Sequence, residues 1–295
     1  MSNYNFIKYL SEISNNYDAF IIDVWGVLWD GIEPYQYSKH TLEKLKELNK
    51  NIILLSNAPR RSHVVIEKLA SIGITSNLYD TIISSGEVCR ENCLRDKESL
   101  SLLGHNYYFI GQETDKGIAL NLEIEETSSI HKSSFILVCG TRDFSHTLDN
   151  YINELDEGLK LQLPLVCANP DKVVIRKNDQ LLICAGILAD YYESNGGVVF
   201  RYGKPFSQVY KKCVNFFKNI NSKITSEKVL VIGDSLETDI LGANNNNFSS
   251  LLITNGIHKK QLYITENQGF SKNSLDEICI QYSAYPNYIM EKFIY

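Results

Sequence analysis

The sequence lacks the features that mark exported, membrane and nucleic-acid-binding proteins. None of its seven cysteines forms a CxxC pair and its six histidines are dispersed, so neither a disulfide framework nor a zinc site is indicated. No apolar run is long enough to cross a bilayer, and the first residues show no signal-peptide pattern. The net charge of −6 comes from interspersed acids and bases, which argues against binding to nucleic acid or to a membrane surface. We therefore expect a soluble, cytoplasmic protein with reduced thiols.

What the sequence does contain is a series of apolar runs that end in polar side chains. Residues 19–22 end at Asp23, and residues 228–232 lead to Asp234 and then to Asp239. Apolar runs of this length are typical of buried parallel strands, whose carboxyl ends are where open α/β sheets bind ligands. Two aspartates that face one crevice would repel each other unless a cation lay between them. Oxygen ligands of this kind favour Mg²⁺.

Strand and helix patterns alternate in two separate parts of the chain. The alternation runs from residue 19 to 85 and resumes after about residue 197, while the stretch between has strand and helix signals of its own. We predict an α/β fold in which a doubly wound parallel sheet is formed by residues 1–87 and 191–295. A smaller α/β domain, residues 88–190, is inserted between these two segments.

Four signals follow apolar runs in order along the chain: Asp23, Ser56, Lys204, and Asp234 with Asp239. Each is weak alone. An aspartate at a strand end is often a turn residue, Ser56 can cap a helix, and a lysine before a proline is usually a solvated loop residue. Their combination at the ends of successive strands predicts one shared site.

The four signals form a series of short motifs that resembles the signatures of the haloacid dehalogenase-like superfamily of hydrolases. The inserted domain lies between the second and third motifs, which is similar to the class IIA branch that contains the NagD-like sugar and nucleotide phosphatases. CGTRD and ANPD within the insertion are similar to that branch as well. The motifs are DVWGV at residues 23–27, SN at residues 56–57, GKP at residues 203–205 and GDSLETDI at residues 233–240.

The resemblance implies Mg²⁺-dependent hydrolysis of a small phosphorylated metabolite such as a sugar phosphate, a nucleotide or an acyl phosphate. Asp23 would attack phosphorus and form an aspartyl-phosphate intermediate. Asp23, Asp234 and the backbone carbonyl of Trp25 would hold the metal ion.

The remaining catalytic candidates are Ser56, Lys204 and Asp239. Ser56 would bind a phosphate oxygen, Lys204 would offset the negative charge, and Asp239 would hold Lys204 or a water molecule.

Three further residues are candidates for binding the rest of the substrate. Asn57 adjoins Ser56, and Arg60 follows at a predicted helix start, where its guanidinium could clamp a second anionic group or simply be solvated. Asp143 follows a strand of the inserted domain, from which class IIA caps reach the substrate. The resemblance also raises a homodimer through the inserted domain, because class IIA relatives often pair in this way.

Trp25 departs from the family pattern. Family phosphatases usually have a second aspartate at this position, which protonates the leaving oxygen and then activates water. Indole can do neither, and the loss of such help typically lowers a rate about 10²–10⁴-fold. The leaving group may need no proton, as in an acyl phosphate or a phosphonate, or another carboxylate such as Asp30 or Glu237 acts instead. The alternative to this atypical hydrolase is a very slow or non-catalytic protein that binds Mg²⁺ and a phosphorylated ligand.

Overall fold

A computed structural model describes residues 4–176, 180–263 and 270–295. The strands of these residues, in chain order, are β1 Asn5–Phe6, β2 Ala19–Asp23, β3 Asn51–Ser56, β4 Thr81–Ser84, β5 Asn106–Ile110, β6 Glu125–Glu126, β7 Phe135–Val138, β8 Leu165–Cys167, β9 Val173–Arg176, β10 Gln180–Ile183, β11 Val199–Arg201, β12 Val229–Gly233, β13 Ser249–Ile253 and β14 Tyr288–Met290. The α-helices are α1 Ser38–Glu47, α2 Ser62–Ser71, α3 Ser85–Cys89, α4 Lys97–Leu103, α5 Ile152–Lys160, α6 Ala185–Ser194, α7 Ser207–Ile220, α8 Leu241–Asn245, α9 Lys259–Leu262 and α10 Lys272–Tyr282.

Seven strands form a large sheet in the order β1-β14-β13-β12-β2-β3-β4, with every neighbouring pair parallel. Its central strands are almost entirely apolar because helices cover both faces of the sheet. Ile21 packs in the cluster that includes side chains of α7, whereas Phe20 and Ile22 pack on the opposite face with side chains of α1 and α2. This alternation along a single strand confirms the predicted doubly wound α/β fold.

Five more strands form a small parallel sheet in the order β11-β8-β7-β5-β6. Its outer face packs against α5 and α6, and its other face continues into the cluster that holds α7. Strands β9 and β10 form a separate antiparallel ribbon between β8 and α6.

Strand β11 differs from the sequence-based assignment. It lies within residues 191–295, which were predicted to belong to the large-sheet domain, yet it pairs in parallel with β8 of the small sheet. The apolar pattern of Val199 and Phe200 indicates a strand but carries no information about which sheet it joins. The division of the chain into domains at residues 87 and 191 stays a prediction.

The model was also searched for helices that could span a membrane. None of the helices formed by the described residues is both long and apolar enough to cross a bilayer.

Candidate active site

The large sheet brings three of the motifs to one edge. Strand β2 lies between β3 and β12, and all three run in parallel, so their carboxyl ends meet at the same side of the sheet. Asp23 is the last residue of β2, Ser56 is the last residue of β3, and Asp234 directly follows β12. The strand register therefore places the three side chains next to one another, as the sequence predicted.

A cluster of three buried carboxylates lies at this edge. Oxygen atoms of Asp23, Asp234 and Asp239 all lie within 4.8 Å of one another. The ammonium group of Lys204 is also buried, and it donates hydrogen bonds to Asp23 Oδ1 and, at 2.7 Å, to Asp239 Oδ1. Three acids thus surround one base in a site that excludes most water.

The pKa values of these groups reflect that imbalance. Burial raises the pKa of Asp23 well above its usual range, and Asp239 and Asp234 raise it further against the opposing effect of Lys204. Burial, followed by the repulsion from Asp239, raises the pKa of Asp234 to about 7. Burial alone would lower the pKa of Lys204, but Asp23 and Asp239 hold it well above its ordinary value. Lys204 therefore stays charged while the cluster favours an additional positive charge.

Two glycines let the backbone approach Asp234 closely. Gly26 has a φ of +87°, and a Cβ atom built there would lie 2.1 Å from Asp234 Oδ2. A Cβ atom on Gly256 would lie 2.2 Å from the same oxygen. The backbone N–H of Ile257 donates to Asp234 Oδ2 at 2.8 Å. The carboxylate is thus held between two loops that only glycine permits at this distance.

Trp25 is half-buried beside the cluster, and its side chain fastens another part of the chain. Its indole Nε1–H donates a 2.8 Å hydrogen bond to the backbone carbonyl of Ile175 in ribbon strand β9. The indole also packs edge-on against Trp29, with ring centroids 5.3 Å apart. The position that holds an acid in the family motif therefore links the loop after Asp23 to the ribbon.

Ser56 and Asn57 follow the predicted layout, although the Asn57 side chain makes contacts that the sequence did not suggest. Ser56 is buried, and its Oγ accepts from the backbone N–H of Ala58 at 3.2 Å. The Asn57 amide oxygen accepts from the backbone N–H of Lys204 at 2.7 Å, and its Nδ2 donates to Asp171 Oδ1 at 2.7 Å. Asn57 thus joins three separate segments of the chain behind the carboxylate cluster.

The other two substrate-binding candidates lie in different settings. Arg60 lines the cavity above the cluster, but its Nε–H donates to the buried Asp115 at 2.6 Å, so part of its guanidinium is already engaged. Asp143 is exposed and accepts hydrogen bonds from the Ser145 backbone N–H at 2.8 Å and from the Ser145 hydroxyl. Of the described residues that line the cavity, Asp143 is not one. Its binding role stays a prediction that this arrangement does not support.

A cavity of about 790 Å³ extends from the cluster to the small sheet and the ribbon. Its floor is formed by the strand-end residues. Its walls are partly apolar, with Trp25, Leu69 and Val174 among them, and partly basic, with Lys68 and Arg176. A space of this size and character suits a small organic molecule with an anionic end.

One wall of the cavity comes from residues 169–176, which we call the covering segment. Within it, Asp171 accepts the hydrogen bond from Asn57, and Lys172 Nζ forms ion pairs with Glu237 at 2.7 Å and with Asp190 at 3.0 Å. The ANPD motif marked the start of this segment in the sequence, but it gave no sign that Asp171 would reach the cavity. Lys172 carries no motif at all.

Both carboxylates that were considered as a replacement acid have partners. Glu237 forms the ion pair with Lys172, and Asp30 Oδ1 accepts from the backbone N–H groups of Ile32 and Glu33 at 2.9 and 2.8 Å. Asp30 therefore closes a local turn, although it also lines the cavity.

Comparison with known proteins agrees with this geometry. The 4-nitrophenylphosphatase of Schizosaccharomyces pombe is 25% identical over 272 residues, covering 86% of this chain and 89% of that protein. Phosphoglycolate phosphatase 2 of Arabidopsis thaliana is 24% identical over 281 residues, covering 83% and 85%. A haloacid dehalogenase-like hydrolase from Brucella suis has a similar structure, with a TM-score of 0.83 and 25% identity over 98% of this chain and all of that one.

Two family models account for most of the site. The model of the haloacid dehalogenase-like hydrolases matches residues 20–151, which include Asp23 and Ser56. A second model, described as HAD-hydrolase-like, matches residues 201–277, which include Lys204, Asp234 and Asp239. The chain belongs to the haloacid dehalogenase-like hydrolases, and its fold is that of the NagD-like, class IIA branch.

Proposed function

We propose that this protein is a Mg²⁺-dependent phosphatase that hydrolyses a small phosphorylated metabolite through an aspartyl-phosphate intermediate on Asp23. The observation that carries the proposal is the buried cluster in which Lys204 bonds Asp23 and Asp239 beside Asp234, at the carboxyl edge of the sheet. The names of the two curated relatives, both phosphatases, support it.

The donor set fits a magnesium ion. Three buried carboxylates share a single ammonium group, so the site carries excess negative charge, and all of the candidate ligand atoms are oxygens. Asp23, Asp234 and the backbone carbonyl of Trp25 would hold the ion. When bound, Mg²⁺ neutralises negative charge on the phosphoryl oxygens.

The residues of the chain divide the reaction into two displacements. A carboxylate oxygen of Asp23 attacks phosphorus as the bond to the leaving oxygen breaks, and water then attacks phosphorus to release phosphate and restore the carboxylate. Lys204 fixes the Asp23 carboxylate through its hydrogen bond and stabilises the added negative charge. The Ser56 hydroxyl at the end of the neighbouring strand would bind a phosphoryl oxygen.

A panel of phosphate monoesters, assayed with Mg²⁺ and with EDTA, tests the proposal. We expect phosphate release only with Mg²⁺, and a loss of at least about 10³-fold in Asp23→Asn, because the amide is not a nucleophile. Asp149→Asn is a matched control, since Asp149 is exposed in the small-sheet region. Activity that survives in Asp23→Asn would show that the nucleophile is wrong.

The rival function is a non-catalytic protein that binds Mg²⁺ and a phosphorylated ligand. It predicts thermal stabilisation by the ligand without phosphate release from any ester. Pairing of two copies through the small sheet also stays a prediction, which sedimentation of the purified protein would test.

A further inference from the structure

Asp171 is a carboxylate in the cavity to which the family resemblance gives no catalytic role here. It lies in the covering segment and is partly buried, and it lines the same cavity as Asp23 and Lys204. Its Oδ1 accepts from Asn57 Nδ2 at 2.7 Å, and the Asn57 amide oxygen accepts from the Lys204 backbone N–H at 2.7 Å. One side chain therefore connects Asp171 to the segments that carry Ser56 and Lys204.

The groups around Asp171 favour its protonated form. Burial raises the pKa of Asp171 to about 6, and the negative charges of Asp239 and Glu237 act in the same direction, while Lys204 and the hydrogen bond from Asn57 oppose them. The neighbouring Lys172 is paired with Glu237 and Asp190. A carboxyl group with such a pKa can exchange its proton near neutral pH, as a general acid and base must.

The other polar groups of the cavity are less suited to this task. Glu237 is held by Lys172, and the Asp30 carboxylate closes a turn. Burial raises the pKa of the Tyr35 hydroxyl above its ordinary value, which makes it a weaker proton donor. Trp25 holds the ribbon that follows Asp171, through Ile175, and has no proton to give at neutral pH.

We propose that Asp171 is the catalytic acid and base that replaces the one missing at Trp25, an inference that rests on the phosphatase function proposed above. As Asp23 attacks phosphorus and the ester P–O bond breaks, the Asp171 carboxyl gives its proton to the leaving alkoxide oxygen and becomes a carboxylate. That carboxylate then takes a proton from the water that attacks the phosphorylated Asp23. The P–O bond to Asp23 breaks, phosphate leaves, and both side chains return to their starting states.

Asp171→Asn in the full chain tests the proposal, since asparagine keeps an oxygen that can accept from Asn57. In rapid-mixing experiments with Mg²⁺, we expect the phosphorylation step to slow about 10²–10⁴-fold with glycerol 3-phosphate. With 4-nitrophenyl phosphate the same step should change less than about threefold, because this leaving group departs without a proton. Loss of the base should then give a burst of 4-nitrophenol followed by slow turnover.

The pH dependence supplies a readout that a merely structural role would not change. In the wild type, the phosphorylation rate with glycerol 3-phosphate should fall as the pH rises past about 6, the pKa of Asp171, because the proton donor is lost. Asp171→Asn should lack this limb. Asp171→Glu, which keeps a carboxyl group, should retain alkyl phosphate hydrolysis within about tenfold and serves if the asparagine variant folds poorly.

The outcomes separate this inference from the function on which it rests. A wild type that releases no phosphate from any ester overturns both. A wild type that is active, with Asp171→Asn equally active on glycerol 3-phosphate, overturns only the role of Asp171. Equal losses of phosphorylation rate on both substrates, or a selective loss on the alkyl ester in Glu237→Gln or Asp30→Asn instead, would also overturn it.

Discussion

The floor and the covering wall of the cavity are built from different kinds of interaction. On the floor, Asp23, Asp234 and Asp239 share the buried ammonium of Lys204, so each charge depends on the others. The covering segment, residues 169–176, is fastened by separate polar contacts that do not share partners with one another, such as those of Ile175 and Lys172. The floor should therefore respond to substitution as one electrostatic unit, whereas the wall should loosen contact by contact.

The largest effect is expected when the floor loses its only ammonium group. Lys204→Met would leave three buried carboxylates without a cation, and breaking a buried ion pair typically lowers the free energy of unfolding by about 3–5 kcal/mol. Urea unfolding in EDTA measures this, and Mg²⁺ should restore part of the loss because it supplies the missing charge. Phosphatase activity should fall at least about 10³-fold. A loss of stability below about 1 kcal/mol would show that the cluster is not a coupled unit.

The wall can be tested with two matched tryptophans. Trp25→Phe removes the hydrogen bond to the Ile175 carbonyl, which is worth about 0.5–1.5 kcal/mol. Trp29→Phe removes the same atoms from an indole whose buried N–H has no hydrogen-bond partner among the described residues. Hydrogen exchange of residues 169–176 should accelerate in Trp25→Phe and not in Trp29→Phe. Equal acceleration in both variants would mean that packing of the rings, and not the hydrogen bond, fastens the wall.

A smaller effect is expected at the ion pair between Lys172 and Glu237. The two side chains are 39% and 31% exposed, so water screens their attraction. Lys172→Gln should lower the free energy of unfolding by about 0.2–1 kcal/mol at low ionic strength, and by less in high salt. A loss comparable to that of Lys204→Met would erase the distinction between floor and wall.

His258 should give the smallest effect, and it links stability to pH. The ring is buried, its Nε2 accepts from the Leu236 backbone N–H at 3.1 Å, and Gln261, Glu237 and Asp239 face it. Burial lowers the pKa of His258, against the opposing effects of these neighbours, so below its ordinary pKa the unfolded chain binds this proton more readily than the folded one. Stability should therefore fall on acidification from pH 7.5 towards pH 5.5, and His258→Gln should show a shallower fall in urea unfolding. An identical pH dependence would contradict this sign.

The floor could be predicted from the sequence because its residues follow apolar strands within short motifs. Asp23, Ser56 and Asp234 end or follow strands that pair directly, so their meeting required only the order of parallel strands. The short edge strands β1 and β14 were not predicted, since two or three residues give no measurable alternation.

The wall could not be predicted in the same way. The indole of Trp25 bonds a backbone carbonyl 150 residues away, and a carbonyl group has no sequence signature. The pairing of Arg60 with Asp115 and of Lys172 with Glu237 likewise depends on how the small sheet docks, which local patterns do not determine. The same limit explains why β11 was assigned to the wrong sheet and why Asp171 was passed over as an acid.

The most direct test of the account is to identify the phosphorylated residue during turnover. Wild-type protein mixed with Mg²⁺ and 4-nitrophenyl phosphate would be quenched in acid within milliseconds, digested and analysed by mass spectrometry. The account predicts one phosphoryl group on Asp23, and none in Asp23→Asn, which should also release no phosphate. Phosphate release from Asp23→Asn, or a phosphoryl group on another residue, would contradict it.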